Sequence, residues 1–400
     1  MFKNRPNLIL FIKRLLYTLF IIFVFQIGGR ITLPGLNNNV DMFADNNALQ
    51  LLNISLGGLV GHFGLFTLGV GPSVTANIIV QLYNANKKNS SDTYRQDKQK
   101  ENQYVRLLVL IFGLFQGFMI INSVNALRER VSAPLLVDNL TTQMLMVAIL
   151  SIGGLIVSYL GERINTKGVG NGVSMLIIST IIINAGQYVY DAILYVLNTG
   201  DWITYAAIFG ITLVLLFIVT MLNVSEVKIP LRSFRYREKE FDHFFPIRFL
   251  SASIMPIIIT NMLLGFVRTL FPYQLEVQEF VSPTNLSGLV LSMVLIMIFT
   301  FVYNHLQLKP ERMVEQLHKS DLYISGLRIT EQEKYLKKTV NKVSLLGGSI
   351  LIMLSILPTV IHSMYAPFPL MNATSLIIFV GGCLTLYQHA RAFRERDRLQ

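Results

Sequence analysis

The chain has 400 residues, of which 52% are hydrophobic and only 14% charged, with a net charge of +11. Soluble domains carry about 25% charged residues, so a soluble fold is excluded and a lipid environment is implied. The single cysteine, Cys383, rules out an intramolecular disulfide and a thiolate metal cluster. The basic excess is spread along the chain rather than gathered into one patch, which fits loops facing an anionic membrane surface better than nucleic-acid binding.

In chain order, the first 29 residues, MFKNRPNLILFIKRLLYTLFIIFVFQIGG, place charges before an apolar run, as a signal peptide does. No small-x-small cleavage site follows, so a retained first helix is expected. A spanning helix needs about 20 mostly apolar residues. Ten such runs are predicted, near residues 15–33, 65–84, 105–122, 142–160, 172–189, 203–222, 249–268, 287–305, 342–360 and 371–388. Between the first two, Asn46 to Gly64 is moderately apolar but broken by Gly57, Gly58, Gly61 and Gly64. Irregular backbone at membrane depth survives only where protein or a watery cavity satisfies it, so this stretch is expected to tuck into the bundle. With the N-terminus inside, 30 of the 34 Lys and Arg residues fall in inner segments, leaving only Arg30, Arg128, Arg130 and Arg268 outside. A miscounted helix would invert every later loop and scatter that bias, so it supports an all-α polytopic protein of about ten spanning helices with both termini inside. Two halves, 1–190 and 191–400, each of five helices, would then start on opposite sides of the membrane, so that a repeat between them would be inverted.

Chemistry is sparse. None of the ten runs carries an Asp or Glu in its interior, whereas ion-coupled transporters place carboxylates at mid-membrane. The histidines at 62, 243, 305, 318, 362 and 389 lack the i, i+4 pairing of a zinc helix, and no metal or other cofactor is expected. The glycine-rich KGVGNGVSML, Lys167 to Leu176, follows a spanning helix rather than a strand, so it reads as a tight inner turn and not as a phosphate cradle. A membrane-embedded enzyme would need buried His, Asp, Ser-Lys or metal-ligand sets on spanning helices, and the runs hold none. The remaining alternative to a passive conduit is a small-molecule carrier or polysaccharide flippase, which often hides charge in a central cavity, and the runs hold almost none.

Several collinear phrases resemble the SecY family of protein-translocase channels. They are LFTLGVGPSVTANIIVQLY (Leu65 to Tyr83), LGERINTKGVGNGVSMLI (Leu160 to Ile177) and RITEQEKYLKKTVNKVSLLGG (Arg328 to Gly348), with ITLPGLN after the first run and FPIRFLSASIMPIII at the seventh. The inner loop around Lys228 to Arg248 and the C-terminal tail are short, and SGLRIT replaces a more Pro-Gly-rich loop. These departures resemble the divergent channel of an accessory Sec system, which in Gram-positive bacteria exports large serine-rich glycosylated adhesins.

The resemblance implies an hourglass pore in the cytoplasmic membrane, sealed at its waist by Val70, Val74, Val173, Ile177, Ile258 and Ile378. An apolar constriction gates by dewetting and can close around an unfolded chain without reading its sequence. It also implies a plug at about 49–59, including Leu52, Asn53, Ser55, Gly57 and Gly58, and a lateral gate between the second and seventh runs at Thr75, Asn77, Gln81, Thr260 and Asn261. A SecA-type motor ATPase would dock on the basic inner loops through Arg328, Lys228, Arg232 and Arg235, and a SecE-like small membrane subunit or accessory Sec proteins would complete the complex. The implied substrate is an unfolded preprotein.

Overall fold

A computed structural model describes residues 6–33, 64–85, 94–131, 140–200, 202–233, 243–248, 255–271, 274–282, 285–364, 379–384, 386–388 and 390–391. The helices are α1 (Pro6–Arg30), α2 (Gly71–Ala85), α3 (Tyr94–Val131), α4 (Leu140–Lys167), α5 (Gly172–Thr199), α6 (Trp202–Val224), α7 (Met255–Leu270), α8 (Leu275–Phe280), α9 (Leu286–Leu308), α10 (Pro310–Lys319) and α11 (Ile329–Met364). Three strands join them: β1 (Glu226–Ser233), β2 (His243–Arg248) and β3 (Leu322–Ile324). Nine of the ten apolar runs fall on these helices, and of the tenth, residues 379–384 and 386–388 are helical. Among the described residues five helices are long and apolar enough to cross a bilayer unaided: Ile9–Arg30, Asn102–Asn122, Leu140–Lys167, Leu286–Lys319 and Ile329–Ile356. The outer surfaces of α1 and α6 expose large apolar side chains such as Phe20, Phe23, Phe209 and Phe217, as lipid contact demands.

The chain divides into two compact units. The first comprises Met1–Asp201, Asn261–Gly288 and Gly381–Gln400. Here α3 packs along α4 and against α2, and α1 lies along α4 and α5. Small residues let the backbones close in: a Cβ on Gly113 would stand 3.3 Å from Ser151 Cα, and one on Gly172 would overlap the Gly161 carbonyl. The α4–α5 turn uses Gly170 at φ +84°, a conformation costly for any side chain, as the sequence led one to expect. Asn171 then caps α5, its Oδ1 accepting from the Val173 amide at 3.1 Å. Thr18 of α1 holds this turn, its Oγ1 accepting from the Val169 amide at 3.0 Å. At the other end of α1, Leu65 N donates to Ile31 O at 2.9 Å, and the rings of Phe25 and Phe66 stack at 5.9 Å. The two chain ends that flank residues 34–63 are therefore sewn together; the expected plug residues Leu52, Asn53, Ser55, Gly57 and Gly58 lie outside the described residues.

The second unit comprises Trp202–Thr260 and Leu289–Val380. The reading of the basic inner segments, 228–248 and its counterpart 309–338 around Arg328, as loops is corrected here. Both contribute to a small folded head, a sheet of order β2-β1-β3 with antiparallel pairing, in which Leu231 faces His243 on one side and Ile324 on the other. Strand alternation sends Ile229 and Leu231 inward and Lys228, Pro230 and Arg232 outward. Ile229, Leu231, Ile247 and Ile324 pack on Leu317 of α10 and on Leu336 and Val343 of α11. At 36 residues α11 is about 54 Å long, well beyond the ~30 Å of hydrocarbon it has to cross, so its first turns belong to the head. Where head meets membrane, buried Asn304 of α9 donates to Ser344 Oγ of α11 at 3.0 Å.

Candidate functional site

The expected ring residues separate between the two units. In the first, Val70 and Val74 are one helical turn apart at the start of α2, the amide of Val74 bonding to the carbonyl of Val70 at 3.0 Å, and both are buried. Val173 and Ile177 sit on the first two turns of α5, Val173 half-buried and Ile177 buried. Ile258, in the second unit, is fully buried on α7, and Ile378 lies outside the described residues. Each of the two i, i+4 pairs therefore presents a β-branched strip on one face of its helix.

The gate residues sort more sharply. Thr75 Oγ1 donates to Gly71 O at 2.9 Å, stands 3.2 Å from the Sδ of Met262 on α7, and accepts from Gln116 Nε2 of α3 at 3.3 Å. One turn along α7, Phe266 meets Phe115 of α3 with ring centroids 5.1 Å apart. Thus α2, α3 and α7 converge on one hydroxyl. Thr260 is buried but spends its hydroxyl inside its own helix, on Pro256 O at 2.8 Å, while Asn77 and Asn261 are half-buried and Gln81 is exposed. Sequence reasoning missed Gln116 and Met262. Gln116 carried a usable signal, a lone amide in the apolar LIFGLFQGFMII, where an unpaired polar group is costly. Its Oε1 is buried without a partner among the described residues. Met262 carried none, since a methionine in a spanning helix is ordinary.

On the head, Lys228 and Arg232 project from the outer face of β1, and Arg328 opens the turn into α11, its carbonyl accepting from the Glu331 amide at 3.0 Å. All three are exposed and have no ion-pair partner among the described residues. Their neighbours differ: Lys337 bridges Glu311 of α10 at 3.0 Å and Glu333 of α11 at 2.7 Å, and Lys319 pairs with Glu315 at 2.8 Å. Arg235 lies outside the described residues. No group of three or more His, Cys, Asp or Glu capable of holding a metal is found among the described residues.

Comparison with known proteins agrees with this architecture. The family model for SecY matches residues 64–387. The protein translocase subunit SecY of Lactococcus lactis subsp. cremoris is 27% identical over 92% of this chain and 89% of its own length, and that of Streptococcus gordonii 28% identical over 92% and 90%. Among solved structures, one described as a protein conducting channel superposes with a TM-score of 0.72 at 18% identity, covering 97% of this chain and 93% of the other. Sec61 in a canine ribosome-channel complex superposes at 0.67 and 17% identity, with the same coverages. A helical membrane protein that the SecY family model matches over residues 64–387, and whose fold these channels share over nearly all of its length, belongs to the SecY family.

Proposed function

We propose that the chain is the channel-forming subunit of a preprotein translocase, passing unfolded secretory proteins across the cytoplasmic membrane. The observation that carries this reading is the SecY match over residues 64–387 joined to a protein-conducting-channel fold over 97% of the chain. The halves 1–190 and 191–400 are the two arms of an inverted repeat, and Val70, Val74, Val173, Ile177, Ile258 and Ile378 form the seal. An apolar β-branched ring keeps ions out because they cannot replace their hydration there. Residues 49–59 plug the outer vestibule, and the contact of Thr75 with Met262 is the closed lateral gate. Interhelical bonds of this kind are worth about 0.6 kcal/mol each, weak enough to part for a signal sequence.

Lys228, Arg232 and Arg328, exposed and without an ion-pair partner among the described residues, dock a SecA-type motor, and a SecE-like subunit covers exposed apolar helix surface. The shortened loops support an accessory Sec system with serine-rich glycosylated adhesins as cargo. The test replaces Cys383 by Ser, places one cysteine at Val173, and asks whether a secretory protein arrested in transit forms a disulfide with it. A motor-dependent crosslink at Val173, absent from exposed Leu213, is expected. No crosslink at Val173, Val74 or Ile258 despite a confirmed arrested intermediate would overturn the channel and favour the carrier or flippase.

A further inference from the structure

Arg268 is one of four basic residues that the loop-charge bias leaves on the outer side, and the structure gives it a specific task. It sits in the last turn of α7, partly buried, and its Nη2 donates to the carbonyl of Val281, the C-cap residue that follows α8. In return Gln278 of α8 donates its Nε2 to two carbonyls at the end of α7, Arg268 O at 2.8 Å in its last turn and Phe271 O at 3.0 Å just after it. Each helix thus has its C-terminal carbonyls capped by a side chain of the other, which meets a requirement that every helix end carries, and the guanidinium also lies where the helix dipoles are negative. The cap is secluded: Val281 is 3% exposed, and Arg268 Nε is buried with no partner among the described residues.

The cap also stands on the side of α7 away from the gate. At 100° per residue, Arg268 lies about 120–160° around the helix from Met262 and Phe266, the residues that touch Thr75 and Phe115. The outer half of α7 is therefore held from two sides, by weak contacts to α2 and α3 on one and by the cap on the other. Beyond α8 the described residues are tied back to it. Asn285 Nδ2 donates to Glu279 O at 2.9 Å, Ser287 Oγ to Phe280 O at 3.1 Å, and Gly288 is flush against the Ser282 carbonyl, so that a side chain there would collide.

We propose that Arg268 and Gln278 are positioning residues for the gate: their reciprocal cap fixes the outer half of α7 against α8 and so sets how readily the Thr75–Met262 contact parts. This rests on the reading of that contact as a lateral gate. Among the described residues neither Arg268 nor Gln278 hydrogen-bonds to α2 or α3, so the cap acts through the placement of α7.

The experiment compares Arg268→Gln, Arg268→Lys and Gln278→Ala for two readouts at matched abundance. One is the export of a preprotein with a weakened signal relative to the same preprotein with its signal intact. The other is the crosslinking yield between cysteines placed at Thr75 and Met262 in a Cys383→Ser background. Arg268→Gln, which loses one hydrogen bond, is expected to raise the export ratio about threefold, and Gln278→Ala, which loses two, up to about eightfold; both should lower the crosslink yield, with Arg268→Lys between Arg268→Gln and the wild type. An unchanged ratio and yield overturns the proposal, as does reduced abundance with an unchanged ratio, which is what a purely structural cap would give. If Arg268→Gln does not accumulate, Gln278→Ala, which removes no charge, decides alone. If the Thr75–Met262 crosslink leaves export of the intact preprotein undiminished, the gate reading itself fails, a result distinct from failure of the cap.

Discussion

The head and the membrane bundle of the first unit are held together by opposite means. In the head, alternate residues of β1 bury Ile229 and Leu231 against Leu317 and Leu336 while Lys228 and Arg232 face water, which is how a small soluble domain gains stability. In the bundle, large apolar side chains are as common outside as inside, and the specific contacts come from small and polar groups: Gly113 on Ser151, Gly172 on Gly161, Thr18 on Val169, Thr75 between Gln116 and Met262. Lipid is as apolar as a leucine, so burying apolar surface gains little there, and close approach and hydrogen bonds discriminate instead. The head should resist change at its core and tolerate it at its surface. The bundle should be sensitive at glycines and hydroxyls, and tolerant where a bulky residue faces lipid.

The sharpest test of that contrast is Ile229→Ala, 2% exposed in the head core, which should cost about 2–5 kcal/mol. Limited proteolysis in membranes should then nick the head while the bundle stays protected; nicking throughout would mean that the two do not melt separately. Next comes Gly172→Ala, whose methyl group would meet the Gly161 carbonyl and should destabilise the bundle by about 1–3 kcal/mol in thermal unfolding in detergent. Its partner experiment is Gly186→Ala in the same helix, where a Cβ meets nothing within 4 Å and the gain in helix propensity is up to about 1 kcal/mol. Equal losses at the two sites would remove close approach as the explanation. Thr75→Val keeps the shape and deletes the hydroxyl, for about 0.6–1.7 kcal/mol, and should show as a loosened α2–α7 crosslink rather than as a lower melting temperature. Smallest is Lys337→Ala, which breaks two exposed ion pairs; the slight loss of head stability in denaturation should vanish in high salt.

The order of the apolar runs and the placement of 30 basic residues on one side follow from composition and spacing alone, because insertion into lipid is decided segment by segment. Nine runs met their helices for that reason, and the turn at Gly170 was visible for a similarly local one. The head was not visible: β1, β2 and β3 come from two loops, Glu226–Arg248 and Leu322–Ile324, whose pairing brings together residues about 90 positions apart, and no local pattern announces so distant a partner. Thr75 could be nominated as gate glue from its place in the second run. That its neighbours are Gln116 and Met262, while Thr260 turns its hydroxyl back onto Pro256, depends on helix rotation and was settled only by packing. Arg268 makes the same point with a charge. By itself the sequence determined that it lies outside the inner-loop bias, since that is a matter of counting; only the tertiary structure decided that it caps α8, since a hydrogen bond needs its acceptor brought within reach.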